Sequence, residues 1–482
     1  MNQASLTALQ KTAYAAPAFV LAVVGIPVYV YIPKFYTDVV GVHIGALGAI
    51  LLLVRLFDAV TDPAIGILSD RMRTRYGRRR PLMALGAAFT AISILLLFNP
   101  PGFQSDLPAT LWFLALIFTL FLSWTVVIVP YESLGPELTF DYDERTALFS
   151  MRDGALIAGT LAAAASPAAV QWLAGLPEGG AGERQTFFIL SVLYTPLILA
   201  GTLWCVASFK ERLPGALEAG RTALQGIGSS FQNRPFRILL IAYTIAAVGN
   251  NLPATLILYY VEYVLHSGLA DLFLVLYFVT GIAFLPVWVY FSGRMGKKPV
   301  WLLAMAINTG AFFWVFFLGP GDAGMYGVLV VLSGIGFGAT LAIPSAIQAD
   351  VIDYDELTTG ERREGLYIGL WSIAKKLAAA LGVGAGLALL GASGYEPNIR
   401  QSESVVFTLR VLYALVPCLC NAAAIFVALS YPISAAHHRR IRDAIRRRSA
   451  GEAVEDPLAA GRRLAPLAKP FSADPSSWRR ES

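Results

Sequence analysis

The sequence predicts an all-α polytopic membrane protein of twelve transmembrane helices in two six-helix, pseudo-symmetric bundles. Three observations predict it. The 482 residues are 56% hydrophobic and only 14% charged, against about 25% charged in soluble globular domains. The apolar residues, about 270 of them, suffice for roughly a dozen spans of about 20 residues each. They fall into two groups of six runs, and short motifs recur after corresponding runs. A mean hydropathy of +0.61 argues against soluble enzyme folds. The same composition, with no three-residue glycine period and three Cys, excludes disordered, collagenous and disulfide-scaffold classes.

The first group of runs lies near 14–36, 44–69, 82–100, 109–135, 153–176 and 185–208, within a first bundle of residues 1–208. The second lies near 236–262, 271–292, 299–319, 326–350, 366–392 and 405–432, within a second bundle of 236–432. Between them, 209–235 is polar and carries Lys210, Arg212, Arg221 and Arg234, as expected of a connector. Residues 433–482 are rich in charge, Ala, Pro and Ser, and are expected to form a disordered tail whose basic start rests on anionic lipid headgroups.

Basic residues set the orientation. The loop after the second run, Asp70 to Arg80, holds six Arg and one Asp; Arg294, Lys297 and Lys298 follow the eighth run, and Arg439, Arg440, Arg442 and Arg446 follow the twelfth. The loops near 101–108, 177–184, 320–325 and 393–404 carry almost no basic residues. Both termini are therefore expected in the cytoplasm. The first run lacks a small-residue cleavage site and reads as a retained span. Cys205, Cys418 and Cys420 lie inside apolar runs, as packed small hydrophobes do. The four His sit near helix ends and in the tail, a pattern that supports neither a metal site nor a proton relay.

Asp141-Tyr-Asp-Glu144 and Asp353-Tyr-Asp-Glu356 recur 212 positions apart, and Arg152-Asp-Gly154 and Arg363-Glu-Gly365 recur 211 apart. A looser match joins Ser69-Asp-Arg-Met72 to Ser292-Gly-Arg-Met295. Three matches in corresponding loops point to a duplicated six-helix unit, an architecture of transporters that place a site between their halves. Asp70, Arg78, Asp141, Glu144, Arg145, Asp353 and Arg363 are the candidate latch or gate residues of the basic side.

Ionisable groups inside apolar runs are costly and mark function. Asp58 and Asp62, four apart in the second run, share a helical face with Arg55 nearby. Two carboxylates in one cavity need a positive partner, and a monovalent cation or a shared proton answers that need. Thr61, within the same stretch, is a further candidate cation ligand. In the eleventh run Lys375 and Lys376 point about 100° apart, so at most one of the two is expected to face the site. Thr125 in the fourth run adds an uncharged oxygen suited to a hard cation. Glu132, Asn250, Asn251 and Gln348 are polar groups placed to meet a solute. No nucleotide-binding loop, zinc-ligand spacing or nucleophile elbow occurs, which disfavours ATP-driven transport.

The stretches Tyr36-Thr-Asp-Val-Val-Gly41, Arg55-Leu-Phe-Asp-Ala-Val-Thr-Asp-Pro63, Asp350-Val-Ile-Asp-Tyr-Asp-Glu356 and Gly394-Tyr-Glu-Pro-Asn398 resemble the glycoside-pentoside-hexuronide:cation symporters of the major facilitator superfamily. The resemblance implies symport coupled to Na⁺, Li⁺ or H⁺. It implies cation-site roles for Asp58, Asp62 and Thr125, a coupling role for Lys376 and a neighbouring role for Arg55. Thr61 stands where the best-known member has an asparagine, and Arg152 falls at or beside a family arginine. The sugar-holding positions differ: Ala22 and Ile128 replace aspartates, and Glu132 and Leu341 replace tryptophans.

The expected function is cation-coupled uptake of a small organic solute, a sugar, glycoside or uronide, with no catalysis and no cofactor beyond Na⁺ or H⁺. A lipid or lysolipid carrier is the alternative, since the related lysophosphatidylcholine carriers share the aspartates and the lysine. A non-transporting sensor or scaffold is a third. The expected partners are the solute, the cation and membrane lipid, without nucleic acid; the expected state is a monomer in a bacterial inner membrane.

Overall fold

The computed structural model describes residues 6–139, 142–177, 179–209, 228–361, 363–459 and 461–466. Asp141 lies outside the described residues, as do most of the connector, residues 467–482 and the side chains of Asp70 and Arg145.

Twelve long helices follow the predicted runs. In the first half they are α1 (Ala8–Val40), α2 (Ile44–Arg71), α3 (Arg80–Phe98), α4 (Asp106–Leu138), α5 (Tyr142–Ala174) and α6 (Gly180–Ser208). In the second they are α7 (Arg234–Tyr263), α8 (Ala270–Met295), α9 (Lys297–Val315), α10 (Ala323–Thr359), α11 (Glu364–Ala392) and α12 (Glu403–Leu429). Among the described residues eleven of these are long and apolar enough to cross a membrane, and α9, which opens on Lys297 and Lys298, is the other. Helix α1 starts on a Thr7–Gln10 capping box and ends at Gly41, whose φ of 92° only glycine adopts freely. Within it, Pro27–Tyr31 and Phe35–Val40 are wound as π-helix, a local widening common at working sites.

The packing repeats with the sequence. In the first half α1 lies against α5 and α6, α2 against α4, and α3 against α4 and α6. In the second half α7 lies against α11 and α12, α8 against α10, and α9 against α10 and α12. Between halves, α2 meets α11 and α5 meets α8, two contacts that a pseudo-two-fold axis exchanges. The α2–α11 contact is a close backbone approach: a Cβ on Gly384 would lie 2.6 Å from Leu52 Cβ, and one on Gly48 2.9 Å from Leu387 Cβ.

The apolar core is shared at one end and divided at the other. Away from the arginine-rich loops, one cluster runs through both halves, from Val24 and Tyr36 to Leu256, Tyr260 and Leu387. Towards the arginine-rich loops, here the basic end, one cluster is confined to the first half around Tyr14 and Tyr131, and another to the second around Trp301 and Ile347. Among the described residues the halves therefore share no buried apolar cluster at the basic end.

The expectation of a disordered tail over 433–482 is corrected for residues 435–466. Helix α13 (Ala435–Ser449) packs on α10, followed by a hairpin of β1 (Val454–Glu455) and β2 (Arg463–Leu464). The reason is a buried stripe of Ile441, Ala444 and Arg448 at helical spacing, the arginine donating to the Leu357 carbonyl.

Candidate functional site

A cavity of about 540 Å³ lies between the halves at midspan, lined from the first by α1, α2 and α4 and from the second by α7 to α12. On its first-half wall Asp58 and Asp62 project from one face of α2, as their four-residue spacing dictates. Thr125 of α4 bridges them, its hydroxyl 2.8 Å from Asp58 Oδ1 and 3.0 Å from Asp62 Oδ1. From the opposite half, Lys376 Nζ stands 3.0 Å from Asp58 Oδ2 and also contacts Asp62 Oδ2. One ammonium thus bridges both carboxylates across the interface.

Arg55 completes the group from the side. Its NH1 donates to the Tyr29 hydroxyl at 3.2 Å and lies 4.0 Å from Asp58 Oδ2. The guanidinium is held between the rings of Tyr29 and Phe121, 4.2 and 4.6 Å from their centroids. Asp58 Oδ1, Asp62 Oδ1 and Thr125 Oγ1 form an oxygen set from two helices, the donor chemistry that hard cations take.

The solute side is asymmetric. The second-half wall is amide and aromatic, with Asn250, Asn251, Asn308, Tyr277 and Phe312. Asn250 Oδ1 accepts weakly from Asn308 and Asn421 at 3.5 and 3.4 Å, and the buried Oδ1 of Asn308 has no protein partner. Glu132 of α4 and Lys375 of α11 face the same cavity from opposite halves, both exposed. Both lysines therefore line it, and the expectation of at most one is corrected: the cavity is wide enough to span the angle of about 100° between them.

Three expected site residues are elsewhere. Thr61 turns its hydroxyl to the Asp58 carbonyl at 3.3 Å and does not line the cavity, because position 61 falls on the flank of the Asp58–Asp62 face. Gln348 is buried within the second half, donating to the Tyr367 carbonyl at 3.1 Å. Arg152 pairs with its neighbour Asp153 at 2.7 Å, lies against the Phe149 ring and is not a lining residue.

Of the expected gate residues, Glu144, Asp353 and Arg363 each make a tie within one half. Glu144 accepts from the Leu6 amide and, at 2.6 Å, from the Thr139 hydroxyl; Arg78 is buried. Arg363 forms a two-pronged pair with Asp355, 2.8 and 2.5 Å, and donates to Ser229 at 2.6 Å. That carboxylate holds the guanidinium proton more firmly than usual. Asp353 meets His438 of α13 at 2.9 Å.

A polar clamp that sequence reading missed joins the halves at the end opposite the basic loops. Asp38, whose side chain is 1% exposed, accepts from Tyr395 at 2.7 Å and Tyr263 at 2.9 Å. Its carbonyl accepts from Asn398 at 2.5 Å. Asn398 holds a φ of 59°, a conformation asparagine tolerates. Lys34 bridges Asp38 at 3.1 Å and Glu262 at 2.6 Å, and Tyr31 donates to Asp271 at 2.6 Å. Burial, with Asp38 beside it, pushes the Tyr395 hydroxyl well above the usual phenol range, so it stays a donor. The signal was Lys34 and Asp38, an i, i+4 charge pair at the end of an apolar run.

A profile of the family described as MFS/sugar transport protein matches residues 13–435. The glucuronide carrier protein homolog of Escherichia coli strain K12 is 28% identical over 410 residues, covering 84% of this chain and 88% of that one. A putative glycoside/cation symporter of the same organism is 28% identical over 437 residues, covering 88% and 92%. An uncharacterized symporter of Synechocystis is 26% identical over 529 residues, covering 91% and 96%. The crystal structure of the nucleoside transporter NupG superposes with a TM-score of 0.61 at 14% identity, covering 88% of this chain and 98% of that one, a likeness of fold. With the family profile spanning nearly all twelve helices, the chain belongs to the MFS/sugar transport protein family and is an integral membrane transporter, not an enzyme.

Proposed function

We propose that the chain is a secondary active symporter of a bacterial inner membrane, driving uptake of a sugar, glycoside or uronide with a monovalent cation, Na⁺ or H⁺. One observation carries this reading: Lys376 of one half occupies the two aspartates of the other. A cation arriving at Asp58, Asp62 and Thr125 competes with that ammonium. Two unit charges about 4 Å apart repel by about 4 kcal/mol at an effective dielectric constant of 20. Cation entry therefore drives Lys376 off and alters the interface between halves, a direct link from ion binding to conformation. The relatives named as a glycoside/cation symporter and a glucuronide carrier support the same reading.

The divided core and the clamp fit alternating access. With the basic end in the cytoplasm, the clamp closes the outer side, and the end without a shared apolar core faces inward. Outward opening then requires Asp38 to release Tyr263, Tyr395 and Asn398.

The test is uptake into proteoliposomes under imposed Na⁺ and H⁺ gradients. Asp58→Asn and Asp62→Asn are each expected to abolish concentrative uptake while leaving membrane insertion intact, and Lys376→Ala to disturb coupling more than Lys375→Ala does. Full accumulation by both aspartate variants would remove the cation-site assignment.

A further inference from the structure

The charges that line the cavity balance. Asp58, Asp62 and Glu132 stand against Arg55, Lys375 and Lys376. The aspartates, Arg55 and Lys376 are engaged with one another. Glu132 and Lys375 are solvent-exposed in the cavity and, among the described residues, make no hydrogen bond or ion pair. The resting cavity is therefore formally neutral, with one spare base and one spare acid.

Cation entry breaks that balance. Whether Na⁺ or a proton neutralises one aspartate charge, the cavity gains one positive charge, and Lys376 is released beside Lys375. A neutral solute would leave that charge unpaired when the halves close and water is excluded, which is costly. A monoanion restores neutrality. Resting on the symport reading above, we propose that the transported solute is a hydroxylated organic monoanion, a carboxylate or sulfonate, whose charged group is held by Lys375 and the released Lys376. One cation and one anion then cross together with no net charge movement.

The rest of the cavity suits the solute's neutral body. The orphaned Asn308 Oδ1 and the Asn250 amide offer an acceptor and donors to hydroxyls. The exposed Glu132 carboxylate accepts from hydroxyls on the first-half side, and Tyr277 supplies an aromatic face. Because Glu132 also repels a carboxylate or sulfonate, it fixes which end of the solute meets the lysines.

The experiment is uptake by the purified full-length chain in proteoliposomes, with Na⁺ or H⁺ gradients imposed and the membrane potential set independently by K⁺ and valinomycin. The probes are glucuronate and a 6-sulfonated hexose as anions, and glucose and methyl glucoside as neutral controls. Accumulation of an anion that does not change with membrane potential is the expected result. Accumulation of a neutral probe alone, of neither anion, or of an anion whose uptake rises with inside-negative potential overturns the proposal. Cation-independent exchange of an anion would instead sink the symport reading while leaving the solute class standing.

Two variants sharpen the assignment. Lys375→Gln is expected to raise the anion's KM roughly 30-fold or more, as loss of a desolvated charge partner does, and Lys375→Arg to restore it; an unchanged KM in Lys375→Gln overturns the role of this lysine. Glu132→Gln leaves one uncompensated positive charge in the loaded cavity and is expected to make the initial rate of anion uptake, though not its final accumulation, potential-dependent. A potential-independent initial rate in Glu132→Gln contradicts the charge balance.

Discussion

The two ends of the molecule are held together differently. At the clamp end one apolar core crosses both halves, and the polar bonds join residues of α1 to α7, α8 and the loop before α12. At the basic end the halves share no buried apolar cluster among the described residues, and Arg363 on Asp355, Glu144 on Leu6 and α13 on α10 are each ties within one half. The difference separates bonds that must break in each cycle from bonds that must persist. The clamp's bonds across halves are hydrogen bonds to Asp38 and Asp271 and an ion pair of Lys34 with Glu262, each replaceable by water when the gap opens. Bonds within halves keep each six-helix unit rigid, so that motion is concentrated at the interface.

The strongest attack on this comparison is Asp38→Ala. Removing one partner of a buried charge group costs about 3–5 kcal/mol, which moves a two-state balance roughly 150- to 5,000-fold. Spin labels at Gln104 and Ile399, with Cys205, Cys418 and Cys420 replaced, are expected to report a wider separation at the clamp end. An unchanged distance would mean that the shared apolar core alone holds the end closed.

A gentler pair of variants asks whether the ends differ. Tyr395→Phe deletes one hydrogen bond to a charged acceptor, about 1.5–3 kcal/mol, and is expected to shift the same distance distribution in the same direction by a smaller amount. His438→Ala removes the contacts to Asp353 and Asp350 at 2.9 and 3.3 Å. Its effect is expected to be about 0–1 kcal/mol, read as a small loss of thermal stability with no change in the Gln104–Ile399 distance. If both variants moved that distance equally, the division of labour between the ends would not hold.

The twelve helices were legible because an apolar run of span length has few alternatives. Asp58, Asp62 and Lys376 were legible because charge inside such a run is expensive, although the choice of Lys376 over Lys375 came from the family resemblance. Thr61 and Gln348 lie off the cavity because nearness along a helix does not say which face a residue takes, and Arg152, carried over from the family resemblance, is not among its lining residues. The clamp was hidden by distance: Asp38 and Tyr395 are 357 positions apart, and tyrosine and asparagine at span ends read as ordinary interfacial residues. Both motifs of the clamp, around Asp38 and around Tyr395, were visible in the sequence without a partner. The tail was misread because its many charges outweighed the spacing of Ile441, Ala444 and Arg448, which is helical.

The central claim is that Asp58 and Asp62 form one cation site whose resting occupant is Lys376. Its most direct test is calorimetric titration of the purified protein with Na⁺ and Li⁺, alongside potentiometric proton uptake. The wild type is expected to bind one cation or proton per chain at this site, and the Asp58→Asn, Asp62→Asn double variant to bind none there. Undiminished one-to-one binding in the double variant would contradict the account.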